Sequence, residues 1–159
     1  MAANPRFYKG SVPAKERVTA AASKTWQAGQ FARSTDSGWV PVLSNGSQIN
    51  GIFAETQATA TASGAKVFVH RISSASQLFT MTVTEGSTDT KAKSSYIGGN
   101  YGVAVNSCVA TISVGNDSTE ILHVYDLLAN KEGYRNATSD VPGQLVVGVV
   151  ASALTADRS

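Results

Sequence analysis

The sequence predicts an all-β protein, a single compact β-barrel or sandwich of short, mostly antiparallel strands with an extended amino-terminal arm. Three observations predict it. Short runs of aromatic and β-branched residues recur from Trp26 onward. Gly, Ser, Asn and Asp stand between these runs where tight turns are needed. Finally, Leu78 to Thr84 alternates Phe79, Met81 and Val83 with Thr80, Thr82 and Thr84, a period of two that suits a strand with one buried face.

A chain of 159 residues fits one domain. A domain of that size buries roughly two-thirds of its unfolded surface without disulfides or metals. The predicted division is an extended arm over 1–25, the β domain over 26–152 and a tail over 153–159. In the arm, Pro5 and Pro13 break any helix, and only Arg17 to Ser23 could form a strand or short helix. Phe7 and Tyr8 are isolated aromatics that either anchor the arm on a partner or cover an edge of the domain's own core. Lys9, Lys15, Arg17 and Lys24 make this segment locally basic, which suits an acidic partner surface or a solvated arm.

The strands follow in order. Gly29 leads into a run holding Phe31 and Arg33, and Thr35-Asp36-Ser37-Gly38 is a tight turn in which Gly38 supplies a positive φ. That turn sets the Phe31 run against Trp39 to Leu43. Asn45-Gly46 is a second turn signal, followed by the Gly51 to Ala54 strand. Glu55 to Gly64 alternates small residues with Thr and reads as an edge strand. Lys66 to Ile72 (KVFVHRI) has neither face wholly apolar, as expected of a strand with both sides partly covered. Gly86 to Gly99 is polar and reads as an interaction loop with Tyr96-Ile97 as a contact point. Tyr101 to Val105 and Val109 to Val114 are strands joined near Asn106-Ser107, with Cys108 read as a buried small residue. Glu120 to Leu128 alternates Ile121, His123 and Tyr125 with Leu122, Val124 and Asp126, and favours a strand over a helix. Asn130 to Gly143 has no period. Gln144 to Val150 is a closing strand apolar on both faces, which belongs in the middle of the fold or between subunits.

Composition narrows the function. Charged residues are 15% of the chain and the formal charge is +2, too little for the basic footprint of a nucleic-acid binder. One cysteine precludes an intrachain disulfide and a cysteine zinc cluster. The start lacks the apolar core of a secretory signal and no run is long enough to span a bilayer, so synthesis in a cytosol is expected. The Asn-x-Ser/Thr sites at Asn45, Asn116 and Asn136 are then turn residues rather than glycan acceptors.

Chemistry-bearing motifs are weak. His70, His123, Asp126 and the many hydroxyls are ingredients of a hydrolytic triad, but Gly-x-Ser-x-Gly and His-Glu-x-x-His do not occur. The acids between Asp117 and Asp126 lack calcium-loop spacing. Gly98-Gly99-Asn100-Tyr101-Gly102 lacks the Lys-Ser/Thr of a phosphate loop. The reading is non-enzymatic, with no catalytic residue, cofactor or metal, in a protein whose work is done by its surface.

The succession Gly29-Gln30-Phe31, Gly51-Ile52-Phe53-Ala54, Val67-Phe68-Val69-His70-Arg71, Ile97-Gly98-Gly99-Asn100-Tyr101-Gly102 and a terminal apolar strand resembles the capsid decoration, or cement, proteins of tailed bacteriophages and related head-associated β-barrels. The resemblance covers most of residues 26–150. It implies a virion structural protein, made in the host cytoplasm, that sits on the outside of an icosahedral head. There it would bridge neighbouring major capsid proteins, often as a homotrimer, with no nucleic-acid or membrane partner. On that implication Phe7, Tyr8, Lys9, Lys15 and Arg17 contact the shell, while Val67, Val69, Leu145, Val147 and Val149 form the barrel core or a trimer contact. Deleting residues 1–17 is then expected to leave a folded domain that no longer binds capsids. Two other classes compete: a tail-fibre or receptor-binding module, with Tyr96, Tyr101 and Tyr134 as its exposed aromatics, and a small β-rich trimeric hydrolase.

Overall fold

The computed structural model describes residues 4–8, 12–85, 88–89, 92–115, 119–127 and 143–154. Its strands are β1 (Arg6–Phe7), β2 (Lys15–Thr19), β3 (Phe31–Thr35), β4 (Gly38–Pro41), β5 (Gly51–Phe53) and β6 (Lys66–Arg71), then β7 (Leu78–Glu85), β8 (Thr88–Asp89), β9 (Asn100–Asn106), β10 (Val109–Ser113), β11 (Leu122–Leu127) and β12 (Gln144–Val149). A 3-10 turn at Ser94–Tyr96 and the short helix α1 (Ala151–Leu154) complete it. The protein is all-β.

Two closed rings of strands make up the fold. The first is a five-stranded sheet in the order β2-β6-β5-β3-β4. Its ends meet through a parallel bridge between Ala20 and Trp39 and a hydrogen bond from Ala21 N–H to the Trp39 carbonyl, closing a barrel. The second lies within the seven-stranded sheet, where β7 pairs with both β10 and β12, so that the path β7-β10-β9-β11-β12 returns to its start.

The two rings share one topology. In each, taken in chain order, the first strand pairs with the fifth, the fifth with the fourth, the fourth with the second and the second with the third, all antiparallel. In each, too, the third strand closes on the first in parallel. The second and third strands are joined by two-residue turns in both, Asp36-Ser37 and Ser107-Cys108. The chain therefore reads as one barrel design used twice.

Each ring has an interior. Val18, Ala20, Trp26, Ala32, Trp39, Phe53 and Val69 fill the first barrel, with Trp26 stacked on Phe53 at 3.9 Å between centroids. Trp26 Nε1–H donates to the Glu55 carbonyl at 2.8 Å, so the indole is buried with its one donor satisfied. The larger core fills the second ring and continues across to the first barrel's outer face, where Phe31, Val42, Ile49, Ile52 and Ile72 join it. This explains why β5 is buried on both sides: Ile52 faces the junction and Phe53 the barrel. Phe79 stands at the junction between Phe7, at 5.1 Å, and Phe31, at 5.9 Å.

The amino-terminal segment pairs with both sheets rather than forming a separate arm, which moves the boundary predicted at residue 25. Arg6 and Phe7 pair with Thr80 and Phe79 of β7. Lys15 to Thr19 pair with Lys66 to His70 of β6, so β2 is a barrel stave. The predicted tail also contributes, because Ala153 and Leu154 of α1 are buried and the Ala153 carbonyl accepts from Ile49 N–H. Three local readings change as well. Residues 55–64 form no strand, only an isolated bridge between Gln57 and Trp26, because small residues and Thr give a strand no apolar face to bury. Cys108 is half-exposed in a turn, where Ser107 and Cys108 have φ of 49° and 63°, the geometry of a type I′ hairpin. Thr82 and Thr84 are buried rather than solvated, and the Thr84 and Thr111 hydroxyls bond each other at 3.0 Å. The predicted irregular segment 130–143 lies outside the described residues except for Gly143.

Gly38 fits its turn for two reasons. Its φ is +115°, and a β-carbon there would lie 2.7 Å from Ala21 N and 2.9 Å from the Thr19 carbonyl, at the barrel's closing seam. At one mouth of the barrel Glu16 and Arg71 form a bidentate pair at 2.7 and 2.8 Å, with the guanidinium 5.2 Å from the Trp39 ring. The hydrogen bond from Arg71 holds the Glu16 carboxyl below its ordinary value of 4.5, outweighing the opposing effect of burial. A depressed carboxylate contributes stability above its unfolded value and loses it as pH falls through the lower folded value. Both side chains keep roughly two-fifths of their surface in water, at 38% and 46%. The pair is accordingly worth no more than about 1 kcal/mol. Glu16→Gln is expected to lower stability by up to that amount at pH 7 and by progressively less as pH falls through the folded Glu16 value, checked by urea unfolding across pH; a loss that does not diminish as pH falls would show that it is not electrostatic.

Candidate functional site: an aromatic face on the second ring

The residues singled out in the sequence do not converge. Phe7 is turned inward against Phe79 and lies edge-on to His70 at 6.0 Å. Tyr8 is half-buried and its N–H donates to the Leu78 carbonyl. Lys9 lies outside the described residues. Lys15 and Arg17 alone share a face, the outer side of β2, where Lys15 lies 3.6 Å from Glu55 and 5.5 Å from the Phe68 ring centroid. Of the strand candidates, Val69, Leu145, Val147 and Val149 are buried in this chain's own core and are unavailable to a neighbouring subunit. Val67 is partly buried against the first barrel's interior.

The histidines and Asp126 are also apart in function. His70 Nδ1 donates to the Pro13 carbonyl at 2.6 Å and thereby ties the loop before β2 to β6. Asp126 accepts from Leu127 N–H at 2.8 Å. His123 sits on another ring and bonds Asn100. Among the described residues no three His, Cys, Asp or Glu side chains gather to hold a metal, and no helix is long and apolar enough to cross a membrane.

Where β9 and β11 meet the loop before β9 the fold assembles two ring pairs: His123 with Tyr125, which is exposed, and Tyr96 with Tyr101, which pack against the core. Leu122 and His123 of β11 pair with Tyr101 and Asn100 of β9. Further along β11 the register to β12 shifts between Val124 and Asp126, leaving Tyr125 as the extra residue of a β-bulge. A bulge re-aims a side chain: Tyr125 is 46% exposed while Val124 and Leu127 on either side are buried. Its ring lies over Gly148 of β12, where a β-carbon would come within 3.0 Å of Cε2. His123 packs edge-on against Tyr125 at 4.7 Å and shares a 2.5 Å hydrogen bond with Asn100 Oδ1.

The neighbouring loop is stitched to the same strand. Gly98 N–H donates to the Val124 carbonyl, and Val124 N–H returns a bond to the Gly99 carbonyl. Tyr101 folds over Gly99, its hydroxyl 2.7 Å from where a β-carbon would stand. Tyr96 meets Tyr101 edge-on at 5.9 Å, and Ile97 beside it is 42% exposed. The sequence reading named Tyr96, Ile97 and Tyr101 but missed Tyr125 and its coupling to His123 and Asn100; Tyr134 lies outside the described residues. A signal was present in the spacing of the buried residues Leu122, Val124 and Leu127, which steps by two and then by three.

Chemically, the exposed Tyr125 ring with His123 and Asn100 beside it could serve as a contact surface, an amphipathic ring on a rigid strand with hydrogen-bonding groups next to it. No family model, curated protein or solved structure matches the chain.

Proposed function

We propose that this chain is a non-enzymatic virion structural protein that docks on the outside of an assembled tailed-phage head and stabilises it by bridging neighbouring major capsid proteins. The observation that carries the reading is the aromatic face of β11, where a bulge holds Tyr125 exposed over Gly148 with His123 against it and Ile97 stands exposed on the neighbouring loop. Tyrosine is enriched in the cores of protein interfaces and among their energetic hot spots. A weakly charged surface is occluded at small desolvation cost, and binding only the assembled shell stabilises it by mass action. The resemblance to cement proteins points the same way. Attachment is assigned to the aromatic face instead of to Phe7 and Tyr8, whose strand and backbone bonds are internal.

The test is a pair of variants, Tyr125→Ser and Ile97→Ser, titrated against purified heads. Each is expected to weaken binding about tenfold or more while leaving thermal unfolding unchanged. Full binding by both variants would remove the face from the account. The bond between His123 and Asn100 beside an exposed tyrosine also favours a second reading, a receptor-binding module that stacks a sugar on Tyr125. Glycan-array binding lost in Tyr125→Ser, with no affinity for heads, would establish that reading in its place.

A further inference from the structure

The parallel seam differs between the two rings. In the second, β10 and β7 stay paired through Ile112-Val83 and Ser113-Thr84, and the Val114 N–H donates to Thr84 beyond them. In the first, the seam ends after Ala20 and Trp39. The chain leaving β2 turns away at Ala22-Ser23, with Ser23 at φ 62°, and Pro41 of β4 has no N–H to offer a neighbour. The two segments splay, and an open groove of about 930 Å³ runs between them.

The lining of that groove is asymmetric in charge. Lys24 stands on one wall and Arg33 on the other, with no acidic residue among those that line it. Among the described residues neither cation lies in an ion pair. The floor and rim are apolar, from Val40, Pro41 and Leu43, and Leu43 is 66% exposed. A missing backbone donor at Pro41 argues against an added β-strand, so recognition falls to side chains.

We infer that this groove binds an extended acidic segment of a partner protein, with carboxylates on Lys24 and Arg33 and an apolar side chain on Leu43. Charge complementarity selects the occupant, because two cations with no ion-pair partner among the described residues, over an apolar floor, favour an acidic peptide carrying an apolar residue over a purely apolar one. The inference goes beyond the shell reading and does not depend on it. With the aromatic face on the second ring, the groove gives the chain two recognition surfaces, one per ring.

The experiment measures fluorescence polarisation of a labelled peptide alternating Asp and Glu with Leu, titrated with the full chain at low salt. A control peptide carries Asn and Gln in place of the acids. Saturable binding is expected for the acidic peptide only, weakened about fivefold by Lys24→Gln or Arg33→Gln and about 25-fold by both, and falling as salt is raised. Leu43→Ser should weaken it with no change in salt dependence, and Tyr125→Ser should leave it unchanged. The inference is overturned if the double variant binds as the parent does, if the amide peptide binds equally, or if no binding saturates by about 1 mM. It is equally overturned if a thymidylate oligomer competes as well as the peptide, which would make the groove a general polyanion site.

Discussion

Removing residues 1–19 is expected to unfold the first barrel, not to release an idle arm. The deletion takes away β2, which holds the Ala20 seam on one side and pairs with five residues of β6 on the other. Val18 leaves the interior, the Glu16 cap is lost, and β6 loses its neighbour on one side, leaving a free edge. Both tryptophans of the chain, Trp26 and Trp39, lie in that interior, so indole fluorescence reports this barrel alone. The truncated chain should show red-shifted emission and no cooperative tryptophan transition in urea, a loss comparable to the whole stability of a typical domain, about 5–15 kcal/mol. Native-like emission with a sharp transition would mean that the barrel stands without β2, as the sequence alone led one to expect.

Phe79→Ala is expected to cost about 3–5 kcal/mol. Phe79 is fully buried, pairs with Phe7 and Val147 across two strand interfaces, and meets Phe7 and Phe31 ring to ring. Truncating it leaves a cavity that rigid strands on either side cannot close. The melting temperature should fall by roughly 10 °C in a chain of this size. Because the two rings share that core, tryptophan fluorescence and far-UV circular dichroism should shift together. A loss below about 1 kcal/mol, or two separated transitions, would show that the rings are independent.

How much of this was legible depends on how local the determining contacts are. The Phe31 to Pro41 hairpin, the β7 alternation and the doubly buried β12 were readable, since a turn signal, a period of two and an unbroken apolar run are properties of neighbouring residues. The KERVT stave was not. Its only buried side chain is Val18, and its partner strand begins some 50 residues later, so nothing nearby marks it as barrel. The repeat of the barrel design was invisible for a related reason: equivalent positions share pairing, not residue type, as Asp36-Ser37 and Ser107-Cys108 show. The aromatic face was half legible. Tyr96, Ile97 and Tyr101 were marked by their loop, whereas Tyr125 was read as one more alternating residue because a bulge leaves composition unchanged and alters only the spacing after it.

Recognition of an assembled phage head is the central proposal. It is tested most directly by sedimenting the full-length protein with purified heads from its own source and, separately, with unassembled major capsid subunits. Saturable pelleting with heads, reduced by Tyr125→Ser and absent with free subunits, is the result predicted. No pelleting, or equal binding to free subunits, would contradict it.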